Sequence, residues 1–159
     1  MRVGYYDYEG LILSFLNQDC PAASTAGGRM SYANTSLYSY TSHLAEIDID
    51  RKILYVFYDT TNYSNTSRKH ANRLYRLSSG FTVFTIENRN TQSEVNLQNY
   101  WNQIEPLVTR YRRARILKPR YKQEIHKIVQ TAKLYAELHD FDQTVPDNIL
   151  RMLFVNCLL

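Results

Sequence analysis

Lys52-Ile-Leu-Tyr-Val-Phe-Tyr58, then Tyr63-Ser-Asn-Thr-Ser-Arg-Lys-His70 running on to Leu77, then Phe81-Thr-Val-Phe-Thr-Ile86 is the stretch that decides the fold. The first and last segments are β-branched and aromatic, the composition that packs well on a pleated surface, and read as strands. Between them a helix is predicted from about Ser67 to Leu77. Ser64 or Thr66 caps it by accepting from an N–H of the first turn, and Gly80 closes it. Upstream, Leu37 to Asp48 alternates loosely, and Asp48-Ile-Asp-Arg51 supplies a turn into Lys52. The unit reads β-β-α-β, with strands at 37–48, 52–58 and 81–86. If the second and third strands are adjacent and parallel, the helix between them must cover one face by a right-handed crossover.

Working outward, residues 20–36 are rich in Pro, Ala, Ser, Thr and Gly and are expected to be a flexible loop. Before it, Tyr8, Leu11, Ile12, Phe15 and Leu16 recur at helical spacing, although Gly4 and Gly10 weaken that pattern. After residue 90 the period becomes helical. Helices are predicted at about 92–117, 120–138 and 146–157. Thr91-Gln-Ser-Glu94 has capping-box spacing. Pro106 either kinks the first of these helices or begins a new one, and Pro119 breaks the chain near Lys118. The predicted fold class is α+β: a three-stranded sheet with a packed helix, followed by a C-terminal helical bundle portion, all in one domain over residues 1–159.

The apolar fraction of 44% is that of a chain able to bury a core. Tyrosine is over-used, with 14 copies, each ring giving contact area and a polar handle. The net charge of +4 is unevenly spread. Residues 66–76 and 110–122 are basic, and 137–147 are acidic. The pattern leans toward an anionic partner. Cys20 and Cys157 form no Cys-x-x-Cys pair, so no zinc site is expected. Reduced thiols are the simpler expectation, with a disulfide between the ends as the alternative. No apolar run is long enough to span a bilayer, which makes the cytoplasm the expected location.

Two basic segments are the binding candidates. Lys69, Arg73 and Arg76 share one helix stripe. Ser64, Thr66 and Ser67, with the first-turn N–H groups, suit an anion such as phosphate. A solvated helix face explains the same residues. The second segment holds Arg110, Tyr111, Arg112, Arg113, Arg115, Arg120 and Lys122. Arginines spread around a helix cannot all face the core, and phosphate binding with a stacking platform uses both residue types. An acidic protein groove uses them too.

No catalytic residue and no metal site is expected. Glu46, Asp48 and Asp50 alternate with Ile47 and Ile49, as acids on a solvated hairpin do. Asp59 stands alone at a strand end. His43, on a strand face with Thr41 and Ala45, and His70 on its helix have no orienting carboxylate in the sequence. There is no Gly-rich phosphate loop, and no cofactor is implied.

Ser39-Tyr-Thr-Ser-His-Leu-Ala-Glu46, Leu54-Tyr-Val-Phe-Tyr58 and Tyr63-Ser-Asn-Thr-Ser-Arg-Lys-His70 resemble a family of uncharacterised small proteins. These occur in phages and mobile elements of low-GC Gram-positive bacteria. The shared pattern is a strand pair followed by Tyr-Ser-x-Thr-[Thr/Ser]-x-Lys-His, matched here by Tyr63, Ser64, Thr66, Ser67, Lys69 and His70. The resemblance covers about residues 36–86, and the remainder departs from it. It implies accessory proteins such as host-takeover factors and inhibitors of restriction or CRISPR, which work by stoichiometric binding. The leading expectation is therefore a non-catalytic binder of a host or phage protein that handles nucleic acid. Direct DNA or RNA binding and a small metal-dependent nuclease or hydrolase are the alternatives.

Overall fold

The computed structural model describes residues 3–5, 7–57 and 64–158. Tyr58, Asp59 and Tyr63, all named above, lie outside the described residues. The chain divides into two compact units, Met1–Arg89 and Asn90–Leu159, and each is described by itself.

Unit 1 holds β1 (Val3–Tyr5), α1 (Tyr8–Asn17), β2 (Ala22–Thr25), β3 (Met30–Ala33), β4 (Ser36–Ser39), β5 (Ser42–Asp48), β6 (Ile53–Phe57), α2 (Asn65–Leu77) and β7 (Thr82–Ile86). The strands form one seven-stranded sheet in sequence order. This corrects the expected three-stranded sheet. The outermost pairs, β1 with β2 and β6 with β7, are parallel, and the four pairs between them are antiparallel. An even number of antiparallel steps gives β6 the direction of β1. Two crossovers of the same hand then place α1 and α2 on the same face of the sheet. Their apolar side chains meet there. Leu11, Ile12, Phe15 and Leu16 of α1 and Ala71 and Leu74 of α2 pack over Met30, Tyr32, Leu37, Ile47, Leu54 and Val56.

Residues 20–36 are not a flexible loop: they supply β2 and β3. The small residues Ala22, Ala23 and Ser24 have little strand propensity of their own. Neighbouring strands and the packing of Ala23, Met30 and Tyr32 under α1 hold them extended. The predicted strand at 37–48 is two strands, because Tyr40 turns the chain at φ 54°. Gly28, Asn34 and Lys52 are likewise left-handed at the β2–β3, β3–β4 and β5–β6 turns. Gly10 serves the cap of α1. Its N–H donates to the Asp7 carboxylate, and a Cβ there would lie 3.1 Å from that oxygen.

A second irregularity moves His43. The β4–β5 register shifts between Leu37 and Tyr38, so that Leu37 pairs with Ala45 and Tyr38 with His43. Leu44 is the extra residue of a bulge. Leu44 and Ala45 therefore both reach the core, and His43 does not share the face of Ala45 that plain alternation predicts.

Unit 2 holds α3 (Glu94–Asn102), α4 (Ile104–Arg113), α5 (Lys118–Leu138) and α6 (Asp147–Val155). The long helix expected at 92–117 is broken at Gln103. Pro106 sits in the first turn of α4, where a missing N–H costs nothing. The cap of α3 is Ser93, which accepts from Val95 N–H, and not Thr91. Thr91 O and Ser93 O instead accept from the Tyr135 hydroxyl at 2.7 and 3.1 Å. Asn96 Nδ2 donates to that hydroxyl and to Asn90 O. Tyr135 and Asn96 are buried, and burial raises the Tyr135 pKa. No helix among the described residues is long and apolar enough to cross a membrane.

Candidate functional site

In unit 1 the stripe on α2 is largely engaged with α1. Arg73 lies 5.1 Å over the Tyr8 ring, and Arg76 donates to the Glu9 carboxylate. Lys69 is exposed. Ser64 is the cap of α2, accepting from Ser67 N–H at 3.2 Å. Thr66 is half-buried within the first turn. The Ser67 side chain is turned inward to Ser39 Oγ at 3.1 Å, so it does not offer its hydroxyl to an anion.

Ser39 Oγ is also 2.8 Å from His70 Nδ1. The fold thus assembles a serine–histidine pair that the sequence did not disclose, because its members are 31 positions apart. Ser39 is 0% and His70 1% exposed, with the Tyr8 ring tilted against the imidazole at 4.6 Å. A nucleophile without accessible surface cannot meet a substrate, so this chain of hydroxyls acts as a polar joint between β4 and α2. Burial, and then the nearby Arg73, lowers the His70 pKa and keeps the ring neutral.

His43 lies between the rings of Tyr38 and Phe57, at 5.0 and 4.6 Å. Burial, and then Arg89, lowers its pKa. Its Nε2 is buried without a hydrogen-bond partner among the described residues. Asp48 closes the β5–β6 turn by accepting from Arg51 N–H at 3.1 Å and pairing with its guanidinium. Glu46 is half-buried on β5, and Asp50 is exposed in the turn. Among the described residues no three His, Cys, Asp or Glu side chains gather as a metal site. Cys20 and Cys157 are free thiols. Cys20 Sγ lies 3.0 Å from the Tyr32 hydroxyl.

In unit 2 the basic segment forms the joint between α4 and α5. Arg110, Arg112 and Arg113 occupy the last turn of α4, where cations complement the helix dipole. Arg112 donates to Asn156 Oδ1 at 2.8 Å, and Lys122 donates to Cys157 O at 3.4 Å, so these two brace the end of α6. Lys118 Nζ lies 5.4 Å over the Tyr111 ring. Arg110, Arg113, Arg115 and Arg120 are exposed, and their side chains make no hydrogen bond or ion pair among the described residues.

The opening of α5 runs against helix electrostatics. Its first turn carries Lys118 and Arg120, no acid and no side-chain cap, although that end favours negative charge. A groove of about 460 Å³ runs along the joint, lined by Arg110, Arg113, Ala114, Arg115, Ile116, Leu117 and Tyr121. Ile116 is 87% and Leu117 49% exposed. Neither aliphatic residue was singled out in the sequence, although an Ile-Leu pair inside a cationic run was there to be seen. A scan of protein-family models, a search of curated proteins and a search of solved structures each found no match to this chain.

Proposed function

We propose that the protein works by occupancy, using the α4–α5 joint to bind an acidic surface of a partner that handles nucleic acid. The observation that carries this reading is the opening of α5. Lys118 and Arg120 stand where the helix dipole disfavours cations, without an acid in that turn. Local rules are broken in this way chiefly at functional sites. The exposed arginines fit as well: Arg110, Arg113, Arg115 and Arg120 are unpaired among the described residues, and the arginine fork suits a carboxylate. A host enzyme of defence or nucleic-acid metabolism in the bacterial cytoplasm is the partner that the resemblance at residues 36–86 favours.

The test is a pull-down from bacterial lysate, followed by titration of this protein against a fixed concentration of the captured enzyme. Inhibition by occupancy reaches its plateau near a stoichiometric ratio. Complete, time-dependent inactivation at a small ratio, abolished by changing His43 or His70, would establish an enzyme instead. Direct nucleic-acid binding is the second reading, favoured by tyrosines interleaved with arginines at Tyr111 and Tyr121.

A further inference from the structure

We infer that the α4–α5 groove takes an acidic protein segment with aliphatic anchors, such as an amphipathic helix bearing Leu and Glu, rather than a nucleic-acid strand. The inference rests on the occupancy reading and names the chemistry of its partner. Charge complementarity gives the first half of the argument. Arg110, Arg113 and Arg115 line the groove with no carboxylate paired to them among the described residues, so they can pair with acidic side chains of a partner.

The second half discriminates between anions. Ile116 and Leu117 lie among these cations, 87% and 49% exposed. A phosphate backbone has nothing apolar to bury against them, and bases stack on aromatic faces rather than aliphatic ones. Of the two tyrosines available for stacking, Tyr111 already carries Lys118 Nζ at 5.4 Å from its ring centre. An aliphatic side chain seated on Ile116 and Leu117 removes apolar surface from water on both partners. Carboxylates on either side of that anchor then meet the guanidinium groups. Such a groove reads apolar anchors and charge together, as helix-in-groove recognition does.

The experiment uses the full chain and four fluorescent probes. They are a helix-forming Glu/Leu peptide, the same peptide with every Leu replaced by Ser, an oligo-dT strand and a short DNA duplex. The variants are Ile116→Ser with Leu117→Ser, and Arg113→Ala with Arg115→Ala, each confirmed as folded by circular dichroism. The Glu/Leu peptide is expected to bind about tenfold or more tightly than its Ser counterpart. The Ile116/Leu117 variant is expected to lose that advantage, and the arginine variant to weaken both peptides. Equal binding of the two peptides, or an Ile116/Leu117 variant that behaves as wild type, would overturn the inference while leaving a cationic binding joint in place. Tighter binding of either DNA probe would overturn it in favour of nucleic acid. Failure of all four probes, or indifference to the arginine changes, would remove the joint as a binding site altogether.

Discussion

Ser39 Oγ and His70 Nδ1 meet at 2.8 Å inside unit 1, joining β4 to α2 across the core. Ser67 Oγ reaches the same serine at 3.1 Å, so one small hydroxyl on a strand organises two positions of the helix. The pairing has the geometry of a nucleophile and its base, and the burial of a structural contact.

Replacing Ser39 by Ala should therefore destabilise the protein. The change leaves buried His70 Nδ1 without its partner, which costs about 1–3 kcal/mol. His70→Ala should cost at least as much, because it adds a cavity beneath the Tyr8 ring. Urea unfolding at neutral pH measures both. A Ser39→Ala variant as stable as wild type would show that the contact contributes nothing.

Acid should weaken the fold through His70 and His43. Both have folded-state pKa values below the ordinary 6.5, first by burial and then by Arg73 and Arg89 respectively. The unfolded chain then binds more protons than the folded one just below pH 6.5. Their stabilisation is complete above that pH and is lost as pH falls toward the folded-state values. Tm measured across this window should drop, and the drop should shrink in His70→Asn, whose amide still reaches Ser39. An unchanged acid slope in that variant would exclude His70 as a source.

In unit 2 the Tyr135 hydroxyl is the corresponding test. It donates toward the carbonyls of Thr91 and Ser93 and accepts from Asn96, tying the segment before α3 to α5. Tyr135→Phe keeps the ring and removes the oxygen, leaving buried Asn96 one partner short. A loss of about 1–3 kcal/mol is expected. Faster amide exchange at residues 90–96 should accompany it. Exchange rates identical to wild type would mean that the segment is held by other interactions.

The arginine joint makes a separate prediction for nucleic acid. If backbone phosphate is bound there, affinity falls steeply with salt. Arg113→Ala with Arg115→Ala should then lower the slope of log K against log salt by about 1 for each phosphate that the protein no longer neutralises, alike for all sequences. Arg112→Ala should in addition lower stability, since Arg112 holds Asn156. Titration of labelled DNA and RNA at low and moderate salt reads this out. No binding at low salt leaves a protein as the partner.

Several features were legible from local chemistry. Residues 53–57 are an unbroken apolar run and form a strand buried along its whole length. Ser64 caps α2, and the prolines at 106 and 119 mark the first turns of α4 and α5. The basic character of 110–122 could also be read directly, since charge depends on composition alone. These signals lie within a few residues of the structure they specify.

What only the tertiary structure decided depends on pairing between distant segments. Four-residue strands such as Ala22–Thr25 carry too little propensity to announce themselves, and they exist because neighbours on either side complete their hydrogen bonds. The register shift beside Leu37 set which way His43 points, and a one-residue slip reverses every side chain beyond it. Ser39 became the partner of His70, and Arg73 and Arg76 became ties to α1, only when two crossovers laid both helices on one face. The sequence by itself determined which segments prefer helix or strand and where charge collects. The tertiary structure decided which of those charges were engaged within the fold and which, at Arg113 and Arg115, stayed exposed and unpaired among the described residues, because contact between distant residues is a property of the packed chain and not of any local stretch.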